Sequence, residues 1–167
     1  MAIDSNNLLY VANSTTATID IFPSGSGTMK AQIGGRKTGL VAPRTVAIDA
    51  SLDVYVFDAT TATISEFAAG ATGNVAPIRT ISGKKTGLTG GNGFGFGIAL
   101  SKASGEIFVS NASSNAILGF AATASGNVAP IQTITGGATG LSVPLGLAVT
   151  ELRVTAGAPS VGIEGRG

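Results

Sequence analysis

Apolar and polar residues alternate along this chain in short runs, and the runs recur. Leu9-Tyr10-Val11-Ala12-Asn13 matches Val54-Tyr55-Val56-Phe57-Asp58 and Ile107-Phe108-Val109-Ser110-Asn111. A second run follows each of them: Thr18-Ile19-Asp20-Ile21-Phe22, Thr63-Ile64-Ser65-Glu66-Phe67 and Ala116-Ile117-Leu118-Gly119-Phe120. Tyr10 to Tyr55 and Phe22 to Phe67 are both spaced by 45 residues; Tyr55 to Phe108 and Phe67 to Phe120 are both spaced by 53. The two runs therefore keep a fixed mutual register. Such β-branched and aromatic stretches, bounded by small polar residues and glycine, predict strands.

Two further strands complete each unit. One is predicted from Gly73-Asn74-Val75-Ala76-Pro77-Ile78-Arg79-Thr80-Ile81, which returns almost verbatim over Gly126 to Ile134. In the first unit it survives only as Lys30-Ala31-Gln32-Ile33, after a loop three residues shorter. Pro77 and Pro130 are expected to open this strand, which suits an outer edge because proline cannot donate to a ladder. The other is an innermost strand, Thr45 to Asp49, equivalent to Ala2-Ile3-Asp4, Gly97 to Leu100 and Gly146 to Val149.

Four short strands repeating at this period predict an all-β chain of three four-stranded antiparallel β-propeller blades. Their expected extents are roughly 2–44, 45–96 and 97–144, with residues 145–155 starting a fourth innermost strand and 156–167 forming a tail. Ile163-Glu164-Gly165-Arg166-Gly167 matches a factor Xa protease recognition site and is set aside from fold reasoning. Six of the nine aromatic rings (Tyr10, Tyr55, Phe108, Phe22, Phe67 and Phe120) fall at just two repeat positions. They form the predicted repeat core, packed between neighbouring blades.

Composition fits this class. With 25 glycines and only 11% charged residues, short strands and turns are favoured over helical bundles. Mean hydropathy is positive, at +0.40, but every apolar run is broken well before the ~18 residues a spanning helix needs. No membrane span is expected. A net charge of +1 gives no basic footprint for nucleic acid. The chain has no histidine and no cysteine, the commonest carriers of proton transfer and covalent catalysis at neutral pH, so a non-enzymatic role is expected. Low charge with abundant Gly, Ser, Thr and Ala predicts a secreted or cell-surface bacterial protein.

The innermost strand, then Tyr-Val-x-Asn/Asp, a small-residue turn and Ile-x-x-Phe resemble the NHL-repeat family of β-propellers and the wider six-bladed, gluconolactonase-like group. The likeness runs three times through residues 2–150. The family's usual Asn-Arg before the Ile is replaced by Ala17-Thr18, Ala62-Thr63 and Asn115-Ala116. The resemblance implies about half of a six-bladed ring, completed by self-association of two copies or by further blades of a longer chain. It also implies the runner-up activity, a metal-dependent lactonase, whose central-channel acids would correspond to Asp4 and Asp49. The third equivalent is Leu100-Ser101, which breaks that ring of acids. Calcium is the one cofactor worth weighing, and its six to eight oxygen ligands exceed what these positions offer.

Three other features invite a functional reading. Asn13, Asp58 and Asn111 close the second strand of each unit, where a short polar side chain typically hydrogen-bonds nearby backbone. Gly35-Arg36-Lys37-Thr38-Gly39 and Gly83-Lys84-Lys85-Thr86-Gly87 place paired cations on equivalent loops, candidate contacts for an anionic glycan or phosphate. Phe94 and Phe96 sit in a four-residue insertion leading into a central strand, as candidate partner contacts or a cap over the hub. The resulting expectation is a structural or recognition module for a protein or glycan partner, with a lactonase fragment or a self-assembling extracellular subunit as alternatives.

Overall fold

The computed structural model describes residues 1–91 and 96–149. These form three four-stranded antiparallel sheets, each a meander in chain order. The first contains β1 (Ala2–Ile3), β2 (Leu8–Asn13), β3 (Thr18–Pro23) and β4 (Ala31–Gly34); the second β5 (Pro43–Ile48), β6 (Val54–Asp58), β7 (Thr63–Phe67) and β8 (Arg79–Ile81); the third β9 (Ile98–Leu100), β10 (Ile107–Asn111), β11 (Ala116–Phe120) and β12 (Gln132–Ile134). Among the described residues no helix is long and apolar enough to cross a membrane.

The registers match between units. Tyr10 faces Ile21, Tyr55 faces Glu66 and Phe108 faces Gly119; likewise Leu9 faces Phe22, Val54 faces Phe67 and Ile107 faces Phe120. Because successive side chains of a strand point to opposite faces, each sheet presents two apolar surfaces, and the second sheet buries both. In the second sheet Val54, Val56 and Phe67 join Tyr10, Ile19 and Ile33 of the first in one core cluster. Tyr55, Phe57 and Ile64 join Ile107, Val109 and Phe120 of the third in another. The sheets therefore stack face to face in chain order, as propeller-like blades do. The Phe position of each blade looks back to the preceding blade, and the Tyr position looks forward to the following one.

That rule explains an unequal burial. Phe67 and Phe120 are fully buried and Tyr10 and Tyr55 nearly so, whereas Phe22, facing back from the first blade, and Phe108, facing forward from the third, are half-buried.

The outermost strands differ from expectation. They begin at Arg79 and Gln132, two residues after the prolines. Gly73 and Gly126, with φ of 70° and 73°, instead leave the blade and make parallel bridges to Ile33 and Ile81 of the blade before. A left-handed glycine followed by a proline cannot continue a ladder, so the stretch is a connector between blades. At the other end, Leu145 to Val149 are in no strand. They run beside the start of β9, where a Cβ on Gly97 would lie 2.7 Å from the Leu147 amide nitrogen. Residues 150–155 of the expected fourth innermost strand lie outside the described residues, as does the tail.

The turn between the second and third strands holds Ala17, Ala62 and Asn115 at φ of 57°, 51° and 51°. These are the positions where the NHL resemblance expects asparagine, and left-handed geometry is what asparagine tolerates best.

Candidate functional site

The innermost strands deliver equivalent residues to one cavity of about 600 Å³. Its wall carries Ile3 and Asp4, Ile48 and Asp49, and Leu100 and Ser101, one pair from each blade, so the predicted equivalence of these positions holds. Asp4 accepts the amides of Asn6 (2.9 Å) and Leu8 (2.8 Å) on Oδ1 and the Tyr10 hydroxyl on Oδ2 (3.3 Å). Burial, and then the Asp4 charge, push the Tyr10 hydroxyl pKa up. Asp49 Oδ1 accepts the amides of Ser51 and Asp53, both at 2.9 Å. Both acids thus cap the tight turn that follows their own strand. Among the described residues no group of three acidic, histidine or cysteine side chains is placed to hold a metal.

The residues that close the second strands do more than cap a turn. Asp58, 1% exposed, accepts the amides of Thr60 and Thr61 on Oδ1 and those of Val41 and Ala42 on Oδ2. The second pair belongs to the connector from the first blade. Asn111, also fully buried, accepts from the Thr89 amide and hydroxyl and donates to the Gly87 carbonyl, gripping the next connector in the same way. Asn13, half-buried, donates to Asp20 at 3.0 Å.

The basic loops fold into short 3₁₀ turns, Arg36–Thr38 and Lys84–Thr86, each closed by a left-handed glycine. Thr38 and Thr86 are buried and donate to the carbonyls of Gly35 and Gly83, both at 2.7 Å. Arg36, Lys37, Lys84 and Lys85 are all exposed. The one ion pair among the described residues lies elsewhere, between Arg79 and Glu66. Phe96, by contrast, is 8% exposed with its ring centroid 4.9 Å from that of Phe57. It fills the core between the second and third blades and is not presented to a partner. Phe94 lies outside the described residues.

Two elements escaped the sequence reading. Asn74 and Asn127 each reach across a blade boundary to accept the amides of Lys37 (2.7 Å) and Lys85 (2.8 Å). The near-verbatim return of Gly73 to Ile81 at Gly126 to Ile134 was the available signal. The second is a charged knot beside the apolar cluster between the second and third blades. Arg79 Nε donates to Glu66 Oε2 at 2.6 Å, and Nη1 to the Ala122 carbonyl at 2.8 Å. Burial raises the Glu66 pKa despite the Arg79 charge beside it, and burial together with Glu66 pushes Tyr55 up to about 12.

A carboxyl whose folded pKa is raised holds its proton where the unfolded chain has lost it. Folding stability therefore falls as pH rises from about 4.5, the ordinary value, through the raised folded value. In urea melts over this range, the parent should lose stability relative to Glu66→Gln with rising pH. A constant difference would show that folding leaves this carboxyl's titration unchanged.

No protein-family model and no curated protein matches the chain. Solved structures match in fold. Hydrazine synthase from Kuenenia stuttgartiensis superposes with a TM-score of 0.64 at 14% identity, over 87% of this chain and 36% of that one. Apo AztD from Citrobacter koseri gives 0.57 at 12% identity, over 86% and 35%. A candidate 6-phosphogluconolactonase from Bacteroides uniformis gives 0.54 at 15%, over 81% and 42%. The chain spans between about a third and two fifths of these structures' lengths, and at such identities the likeness is one of fold alone.

Proposed function

We propose that this chain is a non-catalytic recognition module built of propeller-like blades, presenting a cationic rim to an anionic glycan at a bacterial cell surface. One observation carries the reading: the polar groups divide into two sets. Asp4, Asp49, Asp58 and Asn111, the side chains best suited to chemistry, hydrogen-bond the module's own turns and connectors. Arg36, Lys37, Lys84 and Lys85 stand exposed on equivalent loops of adjacent blades. The amides of Lys37 and Lys85 are held by Asn74 and Asn127 of the following blade, so the cations sit on ordered turns and less entropy is lost on contact. The blade fold itself does not specify a ligand.

The test is binding to a sulfated or uronate polysaccharide by calorimetry, with and without serine at all four positions. Exposed charge contacts of roughly 0.5 kcal/mol each sum to about 2 kcal/mol, so the substituted protein should bind about 30-fold more weakly. Binding to the parent should fall with added salt. Equal affinity of the two proteins would reject the cationic rim. Lactone turnover with stoichiometric divalent metal would reject the non-catalytic reading and favour the lactonase-like alternative at the cavity.

A further inference from the structure

We infer that the open face of the third blade is a docking site for one more blade of the same repeat type, recognised through an asparagine that enters the turn at Gly136–Gly140. This rests on the reading of the chain as a blade-built module and is independent of its glycan rim.

The same junction is made twice within the chain. At the first, the Gly73 amide donates to the Gln32 carbonyl (2.6 Å) and the Gly34 amide to the Gly73 carbonyl (3.0 Å). This seats Asn74, which accepts the Lys37 amide and fills the space over Gly35, where a Cβ would lie 2.7 Å from its Oδ1. At the second, Gly126 donates to Thr80 (2.7 Å), Ser82 donates to Gly126 (3.1 Å), and Asn127 fills the space over Gly83 at 2.6 Å. In each case the glycine is required twice over. Its φ of 109° is a left-handed value that disfavours any other residue, and its missing side chain is the room the asparagine occupies.

The third blade carries the same receptor without the key. Gly136 has φ 100° and ψ 164°, against 109° and 171° at Gly35, and Thr139 donates to its carbonyl at 2.7 Å as Thr38 and Thr86 do to theirs. Yet among the described residues nothing lies within 4 Å of a Cβ built on Gly136. Thr139 is exposed where Thr38 and Thr86 are buried. Beside it the apolar part of the face is open too, with Phe108 half-buried and Ile134 40% exposed.

A second copy of this chain does not supply the key. Its first blade, whose back face would meet this surface, has the shorter Pro23 to Lys30 loop and no Gly-Asn pair. Its Asn74 and Asn127 already occupy its own sockets. The fitting partner is a blade whose Gly-Asn-x-Ala-Pro connector is free, whichever polypeptide carries it.

Amide hydrogen exchange of the full chain, alone and extended after residue 149 by a copy of residues 97–144, tests this. In the unextended chain Ala138 should exchange at least about tenfold faster than Lys85, whose amide has a partner. The extension should slow Ala138 at least about tenfold, and alanine at the copied asparagine should abolish the slowing. An extension by residues 2–44 should give none. Should an extended chain fail to fold, Asn127→Ala in the parent decides the question: Lys85 must lose protection while Lys37 keeps it. Protection of Lys85 that survives Asn127→Ala would overturn the inference. So would an Ala138 amide equally slowed by the alanine-bearing extension, or one protected in proportion to the concentration of the unextended chain. Every one of these outcomes is read as amide protection and none as glycan affinity, so failure of the two proposals is separable.

Discussion

Phe67→Ala is expected to remove about 3–5 kcal/mol of stability in a urea melt, and Phe22→Ala only about 1 kcal/mol, although the two rings hold the same repeat position. Phe67 has no exposed surface and sits in the cluster shared by the first and second blades. Truncating it removes transfer energy and leaves a void in the cluster it shares with Ile19, Ile33 and Val54, which a close-packed interior fills only in part. Phe22 looks back from the first blade and is half in water already. Against a typical total of about 5–15 kcal/mol, the first change consumes a large share and the second does not. Phe120→Ala should resemble Phe67→Ala. A loss below about 1 kcal/mol at Phe67 would place that ring on the surface and dismantle the stacking order.

Asp58→Ala should cost about 3–5 kcal/mol, more than its exposure-matched counterparts among neutral side chains. Four amides, two from its own turn and two from the incoming connector, lose their acceptor at once. Leaving a donor unsatisfied costs about 1–3 kcal/mol when water cannot reach it, and these four are only partly shielded. Asp58→Asn keeps one oxygen and should lose about half as much. Asn13→Ala, which breaks a single contact to Asp20, should lose less than about 1 kcal/mol. Thermal unfolding of the three variants side by side checks the ranking; an Asp58→Ala protein as stable as Asn13→Ala would remove the connector clamp from the account.

Much of this architecture was legible in the residues. Tyr10, Tyr55 and Phe108, with Phe22, Phe67 and Phe120, gave register and strand order because hydrophobic alternation is a local signal that each repeat restates. The equivalence of Asp4, Asp49 and Ser101 followed from the same alignment, and the structure gathers them at one cavity. What escaped was non-local. The Gly73 to Ile78 stretch looked like a strand because Val75 and Ile78 have strand propensity; Ile78 does donate to Glu66 of its own blade, but Gly73 and Asn74 pair with Gln32 and Lys37, some 40 residues earlier in another blade. The Glu66–Arg79 knot was invisible for a different reason. Its equivalents are Ile21 and Ala31 in the first blade and Gly119 and Gln132 in the third, so repetition could not point to it. Phe96 illustrates a third limit, since glycines around an aromatic ring suggest an exposed loop until a neighbour such as Phe57 is placed against it.

The face-to-face order of the sheets is tested most directly by nuclear Overhauser contacts in the methyl-labelled protein. The Phe67 ring should show cross-peaks to the Ile19 and Ile33 methyls of the first blade, and the Phe120 ring to the Ile64 and Ile81 methyls of the second. Rings that report only methyls of their own sheet, or Phe67 in contact with Ile117 of the third, would contradict it.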